Sequence, residues 1–181
     1  MDMKFFRDLI WPGAAGSIFW AVFTVPIDPN FHGSDVVTRT LVLVCLAFYL
    51  SFDWLASDWT VPVDPLRFGG NLAHIVSITI FAIGMATGRS EPWLWWSLLL
   101  VFGIAILAHM IGVWDPTNKL PFIRQRVWQA LPNFLGPAVL LGLNWSFQEY
   151  SIVHLFIAIA LVIVAWFMLQ WFKIRRPSCF D

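Results

Sequence analysis

Long apolar runs alternate with short polar connectors along the chain. A helix needs about 20 residues, with a range near 17–25, to cross the hydrocarbon core of a bilayer. Six runs meet this requirement, and the connectors between them are rich in proline, aspartate and asparagine, which end helices. The pattern predicts an all-α, polytopic membrane protein with one helical bundle over residues 1–181. The predicted spans cover about residues 9–26, 36–57, 66–87, 92–114, 127–147 and 151–173.

The lysines and arginines are unevenly distributed among the predicted connectors. Short loops that carry positive charge are retained on the cytoplasmic side of a membrane. If the amino terminus is inside, nine of the 11 Lys and Arg residues face the cytoplasm, and only Arg39 and Arg89 lie outside. An odd number of spans would remove this asymmetry, so we predict that both termini are cytoplasmic and that the protein lies in the cytoplasmic membrane. The predicted inner set is Lys4, Arg7, Arg67, Lys119, Arg124, Arg126, Lys173, Arg175 and Arg176.

The overall composition supports a membrane protein and excludes some functions. Hydrophobic residues make up 59% of the chain and charged residues 12%, with a mean hydropathy of +0.74. The formal net charge is zero, so no basic field exists to attract nucleic acid. Cys45 and Cys179 lack the spacing of a metal finger or redox pair. No recognised catalytic motif is present, which leaves open whether the protein is an enzyme.

Five ionisable or amide residues lie at a similar depth in the predicted spans. Ionisable and amide side chains are costly in hydrocarbon and usually face the interior of a bundle. At about 1.5 Å per residue, all five lie within roughly 5–12 Å of the cytoplasmic boundary. We therefore predict an inner polar layer that forms a substrate or proton site. Its members are Asp53, Asn71, His74, His109 and Asn133.

Small residues and prolines predict how the helices pack around this layer. Pro132 and Pro137 flank Asn133 in the fifth span, which predicts a kinked or broken helix with free carbonyl groups, as in transporters. Gly69 and Gly70 predict a close helix contact at the start of the third span.

Gly13, Ser17 and Ala21 recur every four residues in the first span. Their spacing predicts a close helix seam, either within the bundle or between molecules. The expected partners are therefore the lipid bilayer and, as alternatives, further copies of this chain or other membrane subunits.

Charged and histidine residues near the outer end are predicted to have little functional weight. Asp35 and Arg39 are four residues apart, which predicts a local surface pair of small energetic value. His32 and His154 are predicted to be solvated.

The inner polar layer predicts a transport or channel-like component, with His74 and a nearby carboxylate suited to proton coupling. One alternative is electron transfer, with His74 and His109 as axial ligands of a b-type haem. A second alternative is a non-catalytic subunit in which the layer only fixes helix packing. A metal-dependent hydrolase built on Asp53, His74 and His109 remains a further option.

Overall fold

The computed structural model describes residues 10–56, 65–111, 113 and 120–175. Over these ranges the chain forms six α-helices and no strand, which confirms the all-α prediction. A short 3-10 turn, Val25–Ile27, extends the first helix. The helices are α1 (Trp11–Thr24), α2 (Ser34–Ala56), α3 (Pro65–Ala86), α4 (Glu91–Met110), α5 (Leu120–Phe147) and α6 (Ile152–Arg175).

Four of the helices are long and apolar enough to cross a membrane, namely α2, α3, α4 and α6. Less than half of each of these segments is buried inside the bundle, so their remaining apolar side chains face outward. Contact between such an apolar surface and the hydrocarbon of a bilayer is favourable, whereas its exposure to water is not. These four helices indicate a multi-pass integral membrane protein. The apolar part of α1, at Trp11–Ile27, is shorter.

The fifth helix differs most from its predicted span. It begins at Leu120, seven residues before the expected start at 127. Pro121 is tolerated there because it lies in the first turn, where a backbone N–H would have no helical acceptor in any case. The longer helix includes Arg126, which was predicted to lie in the inner connector and is instead buried. α5 also continues through Pro132 and Pro137 without a break, so the broken alternative is wrong, whereas the kinked alternative stays a prediction.

The six helices form a closed ring. α1 contacts α2 and α3, α2 contacts α6, α6 contacts α5, α5 contacts α4, and α4 contacts α3. Every helix therefore has two neighbours, and all six enclose a common interior. Further contacts between α4 and α6, and between α2 and α3, cross this interior.

The connections α1/α2, α3/α4 and α5/α6 lie at one end of the ring, which we call the predicted outer end. Phe31 packs beside Gly88 there, and the rings of Trp95 and Tyr150 are 5.3 Å apart. At the opposite, predicted inner end, a Cβ added to Gly70 would lie 3.3 Å from the Cα of Ala108. The predicted close contact at the start of the third span is thus confirmed for Gly70.

The buried face of the first helix overlaps the predicted small-residue stripe only in part. Ala14, Ile18, Ala21 and Val25 are buried, whereas Gly13 is exposed. The space beyond Gly13 is open, with no atom within 4 Å of an added Cβ. The interior seam of α1 therefore includes Ala21 of the predicted stripe, and Gly13 is not part of it.

Candidate functional site

A tyrosine hydroxyl lies at the centre of the candidate site. Tyr49 on α2 is 1% exposed, and its hydroxyl donates a 2.8 Å hydrogen bond to Oδ1 of Asn133 on α5. The same hydroxyl lies 3.1 Å from Nε2 of His74 on α3. The three side chains, here called the Tyr49 cluster, thus join three helices from different sides of the ring.

The single proton of the Tyr49 hydroxyl determines the protonation of its histidine partner. Because that proton is donated to Asn133, the contact with His74 requires a proton on Nε2 of the imidazole. His74 is therefore either the Nε2–H tautomer or the imidazolium ion. Converting it to the Nδ1–H tautomer would require the tyrosine hydroxyl to turn around. Proton occupancy at His74 and hydrogen-bond direction at Tyr49 are consequently linked.

Asn133 has unused hydrogen-bonding capacity on both its side chain and its backbone. The residue is fully buried, and its Nδ2 has no hydrogen-bond partner in the described part of the chain. Pro137, four residues later, has no N–H to donate to the Asn133 carbonyl oxygen. An unsatisfied buried donor costs about 1–3 kcal/mol, so a polar ligand or ordered water is expected beside it.

Close packing of α4 on α5 positions the cluster. A Cβ added to Gly136 would lie 2.5 Å from the ring of Phe102, so only glycine admits this ring. Phe102 in turn meets the ring of Tyr49 edge-on, with centroids 5.8 Å apart. Ser77 fixes the backbone beside the imidazole, because its Oγ donates a 2.7 Å hydrogen bond to the carbonyl oxygen of His74. The tyrosine ring is thereby held between two helices.

A second buried donor lies near the Tyr49 cluster. Trp166 on α6 is 1% exposed, and its Nε1 has no partner among the described residues. Its ring packs against the imidazole of His109 on α4, with centroids 6.3 Å apart. Residues on either side of Asn133 and Trp166 line one groove on the outside of the bundle, so the two side chains lie at the same level of neighbouring helices. The lining residues are Leu131, Pro132, Phe134 and Leu135 on α5 and Ala165, Met168, Leu169 and Phe172 on α6.

Arg126 contributes a buried positive charge to the same half of the bundle. It precedes Asn133 by seven residues, two helical turns, and therefore lies on the same face of α5. Four acidic residues whose side chains the structure describes lie at the predicted outer end, namely Asp28, Asp35, Glu91 and Glu149, whereas Asp53 lies in the inner part of α2 by its backbone position.

The structure brings together part of the predicted polar layer. His74 and Asn133 meet through Tyr49. His109 lies in the last turn of α4 against Trp166. Asn71 is half-buried on α3, three residues before His74, and is not a member of the Tyr49 cluster. Asp53 lies in α2, but its side chain falls outside the described residues.

Three contributors were missed by sequence reasoning. Arg126 was predicted to lie in a connector, and neither Tyr49 nor Trp166 was predicted to contribute to a site. Tyrosine in membrane proteins is enriched at the interface, where its hydroxyl meets water. Tyr49 instead lies well inside α2, seven residues before its end at Ala56, and this position was the available signal.

The cofactor alternatives gain no support from the geometry. Nε2 of His74 is already bonded to Tyr49, whereas a haem iron would need a ring nitrogen of this residue. Within the part of the chain that the structure describes, no three His, Cys, Asp or Glu side chains form a metal-binding group. The haem and metal readings therefore stay untested predictions.

Comparison with known proteins gives no match to a protein-family model, a curated protein or a solved structure. The function of this chain is therefore argued from its own geometry.

Proposed function

We propose that this chain is a transport component of the cytoplasmic membrane that moves a small solute through the bundle, with His74 carrying a coupled proton. The observation that supports the proposal is the Tyr49 hydroxyl, which lies between His74 and Asn133 in the interior of the ring. Imidazole titrates near neutral pH, unlike any other unperturbed side chain. A proton gained or lost at His74 would change which hydrogen bonds the cluster can make.

Helix packing alone would not require such a cluster. Apolar side chains of similar size can replace a buried polar pair at little or no cost in stability. The side-chain N–H donor of Asn133 is moreover fully buried and has no acceptor in the described part of the chain. Ionisable and polar groups kept at membrane depth commonly mark substrate or proton pathways. The unused capacity at Asn133 therefore favours a solute site over a structural role.

The proposal includes six membrane spans with both termini in the cytoplasm. α1 and α5 complete the ring, so a membrane that surrounds the four apolar helices would also surround these two. The predicted inner end then carries the candidate site and Arg126. With this topology the site opens toward the cytoplasm, and further copies of the chain or other subunits would contact the outside of the ring.

Reconstituted vesicles test the proposal directly. The purified protein is placed in vesicles that contain a pH-sensitive dye, and carboxylates, phosphate, organic cations and neutral polyols are added outside in turn. We expect one class of solute to cause internal acidification that depends on the protein. His74→Gln, which keeps a donor toward Tyr49 but cannot titrate, should abolish the acidification while solute binding remains measurable.

His154 provides the matched control. It is a buried histidine on α6 at the predicted outer end, away from the Tyr49 cluster. His154→Gln should leave acidification unchanged. Equal losses in the two variants, or no solute-dependent flux with any class in the wild type, would overturn the transport proposal.

A further inference from the structure

Among the residues that the structure describes in the inner half of the bundle, two buried side-chain atoms lack a hydrogen-bond partner, and both are N–H donors. They are Nδ2 of Asn133 and Nε1 of Trp166. Both side chains are at least 99% buried, so bulk water does not solvate them. Buried donors are normally paired, so two unmet donors at one level favour an acceptor beside them.

The surroundings of these donors favour an acceptor with negative charge. Arg126 is buried on the same face of α5, and imidazoles lie on α3 at His74 and on α4 at His109. A buried anion is stabilised by N–H donors and by a nearby cation.

We infer that the donors of Asn133 and Trp166 bind the oxygens of a small carboxylate, which enters together with one proton on His74. The inference rests on the proposed transport function and names its class of substrate. A carboxylate carries one negative charge and the imidazolium carries one positive charge, so the pair adds no net charge to the membrane interior. Charge neutrality lowers the cost of holding both in a poorly solvated site.

The described hydrogen bonds already suit the protonated state. The Tyr49 hydroxyl donates to Asn133, and this direction requires a proton on Nε2 of His74. Oδ1 of Asn133 is then occupied, and Nδ2 is left to serve a ligand. The imidazolium form of His74 and the presentation of the Asn133 donor are thus compatible in one arrangement of the cluster, which the neutral Nε2–H tautomer also allows. The freed carbonyl of Asn133 can accept from a water that accompanies the ligand.

Other groups could hold the proton in place of His74. The helices packed around it supply the Tyr49 phenol on α2, the His109 imidazole on α4 and the Arg126 guanidinium on α5, while α1 supplies no titratable residue within Trp11–Thr24. Asp53 on α2 lies one helical turn from Tyr49 by its backbone position. The experiment therefore includes variants of both Asp53 and His74.

Calorimetric titration of the purified full chain at pH 7.5 tests the inference. Sodium acetate, sodium phosphate and choline chloride are the probes, at constant ionic strength. Titration in two buffers with different heats of ionisation gives the number of protons bound per ligand. We expect acetate to bind with uptake of about one proton, since an imidazole with the ordinary histidine pKa is largely neutral at pH 7.5. His74→Gln should bind acetate without proton uptake, and Asp53→Asn should retain the uptake.

Matched indole variants test the two donors. Trp166→Phe removes one N–H from the ligand and should weaken acetate binding about tenfold, the effect of one hydrogen bond to a charged group. Trp95→Phe removes an equally buried and unpartnered indole N–H at the predicted outer end, and should change nothing. Asn133→Asp keeps an acceptor for Tyr49 but replaces the donor with a repelling oxygen, so it should weaken binding more than tenfold.

Four results would overturn the inference. The first two are no acetate binding in the folded wild type, and equal acetate affinities in Trp166→Phe and Trp95→Phe. The third is proton uptake that is lost in Asp53→Asn but kept in His74→Gln, and the fourth is Asn133-dependent binding of phosphate or choline in place of acetate. Unbound donors that hold water only would give the first two results. The outcome is separable from that of the transport proposal. Acetate binding without flux contradicts transport alone, and His74-dependent flux of a cation or polyol contradicts the carboxylate alone.

Discussion

Two buried polar clusters join helices in this bundle, and they differ in how fully their hydrogen-bonding groups are used. At the predicted outer end, Nε of Arg39 contacts both carboxylate oxygens of Asp35 at 2.9 and 3.0 Å, and Nη1 donates to the Met85 carbonyl at 3.2 Å. The guanidinium also lies over the ring of Phe31, 4.7 Å from its centroid. We call these four residues the Arg39 cluster.

The Tyr49 cluster is more deeply buried, since the Asp35 side chain of the Arg39 cluster is 39% exposed, but the Tyr49 cluster is incompletely satisfied. Its hydroxyl serves two partners, while Asn133 keeps an unmet donor and a carbonyl without its usual helical donor. A satisfied cluster gains stability by holding elements together, whereas an unsatisfied one costs stability unless something binds to it. The difference indicates a structural clamp at one place and a binding site at the other.

The largest effect on stability is expected at the Arg39 cluster. Arg39→Met should lower the free energy of unfolding by about 2–4 kcal/mol, because it removes a buried, hydrogen-bonded charge and leaves the Met85 carbonyl unmet. Unfolding in mixed micelles with increasing SDS measures the change. Arg89→Met, at an exposed arginine 5.8 Å from the ring centroid of Trp93, is the control and should leave stability nearly unchanged. Solute-dependent proton flux per folded molecule should remain normal in both variants.

A smaller loss of stability is expected at the centre of the ring. Tyr49→Phe should cost about 1–2 kcal/mol, since it removes one hydroxyl that serves two buried partners. Proton flux should fall at least tenfold, because His74 and Asn133 are no longer connected. Parallel measurement of unfolding and flux would contradict the assignment if flux fell only in proportion to the folded fraction.

The third substitution separates stability from activity. Asn133→Leu removes an amide with an unsatisfied donor, and it leaves the Tyr49 hydroxyl able to donate to His74. The free energy of unfolding should therefore change by no more than about 1 kcal/mol, in either direction. Carboxylate binding and flux should be lost. Such a functional residue, kept at no gain in stability, is typical of a binding site. A large loss of stability would instead show that Asn133 acts as a packing residue like Arg39.

The smallest effect is expected at a buried hydroxyl outside both clusters. Oγ1 of Thr40 on α2 has no partner in the described ranges. Thr40→Val keeps the shape of the side chain and should leave stability equal or raise it by about 0.5 kcal/mol, with normal flux. Thermal unfolding in detergent and the vesicle assay measure the two quantities. A loss of flux here would extend the site toward the predicted outer end.

Sequence reasoning was wrong about burial near the ends of the bundle. His154 was expected to be solvated, yet it is buried, and Arg39 is buried as well, which its pairing with Asp35 did not predict. The pairing of Arg39 with Asp35 was predicted and is confirmed, but its contact with the Met85 carbonyl joins residues 46 positions apart in the chain. Spacing along one helix shows which residues share its face, and it does not show what packs against that face.

The sequence alone determined that the chain is all-α and carries apolar helices, because helix length and hydropathy are local properties that a bilayer imposes on each segment separately. It also placed His74 and Asn133 at one depth, since depth follows from counting residues along a helix. Only the tertiary structure showed that Tyr49 joins them and that Trp166 lies at their level. Those contacts depend on the order of helices around the ring and on the rotation of each helix, and both are decided by side-chain packing between segments distant in the chain.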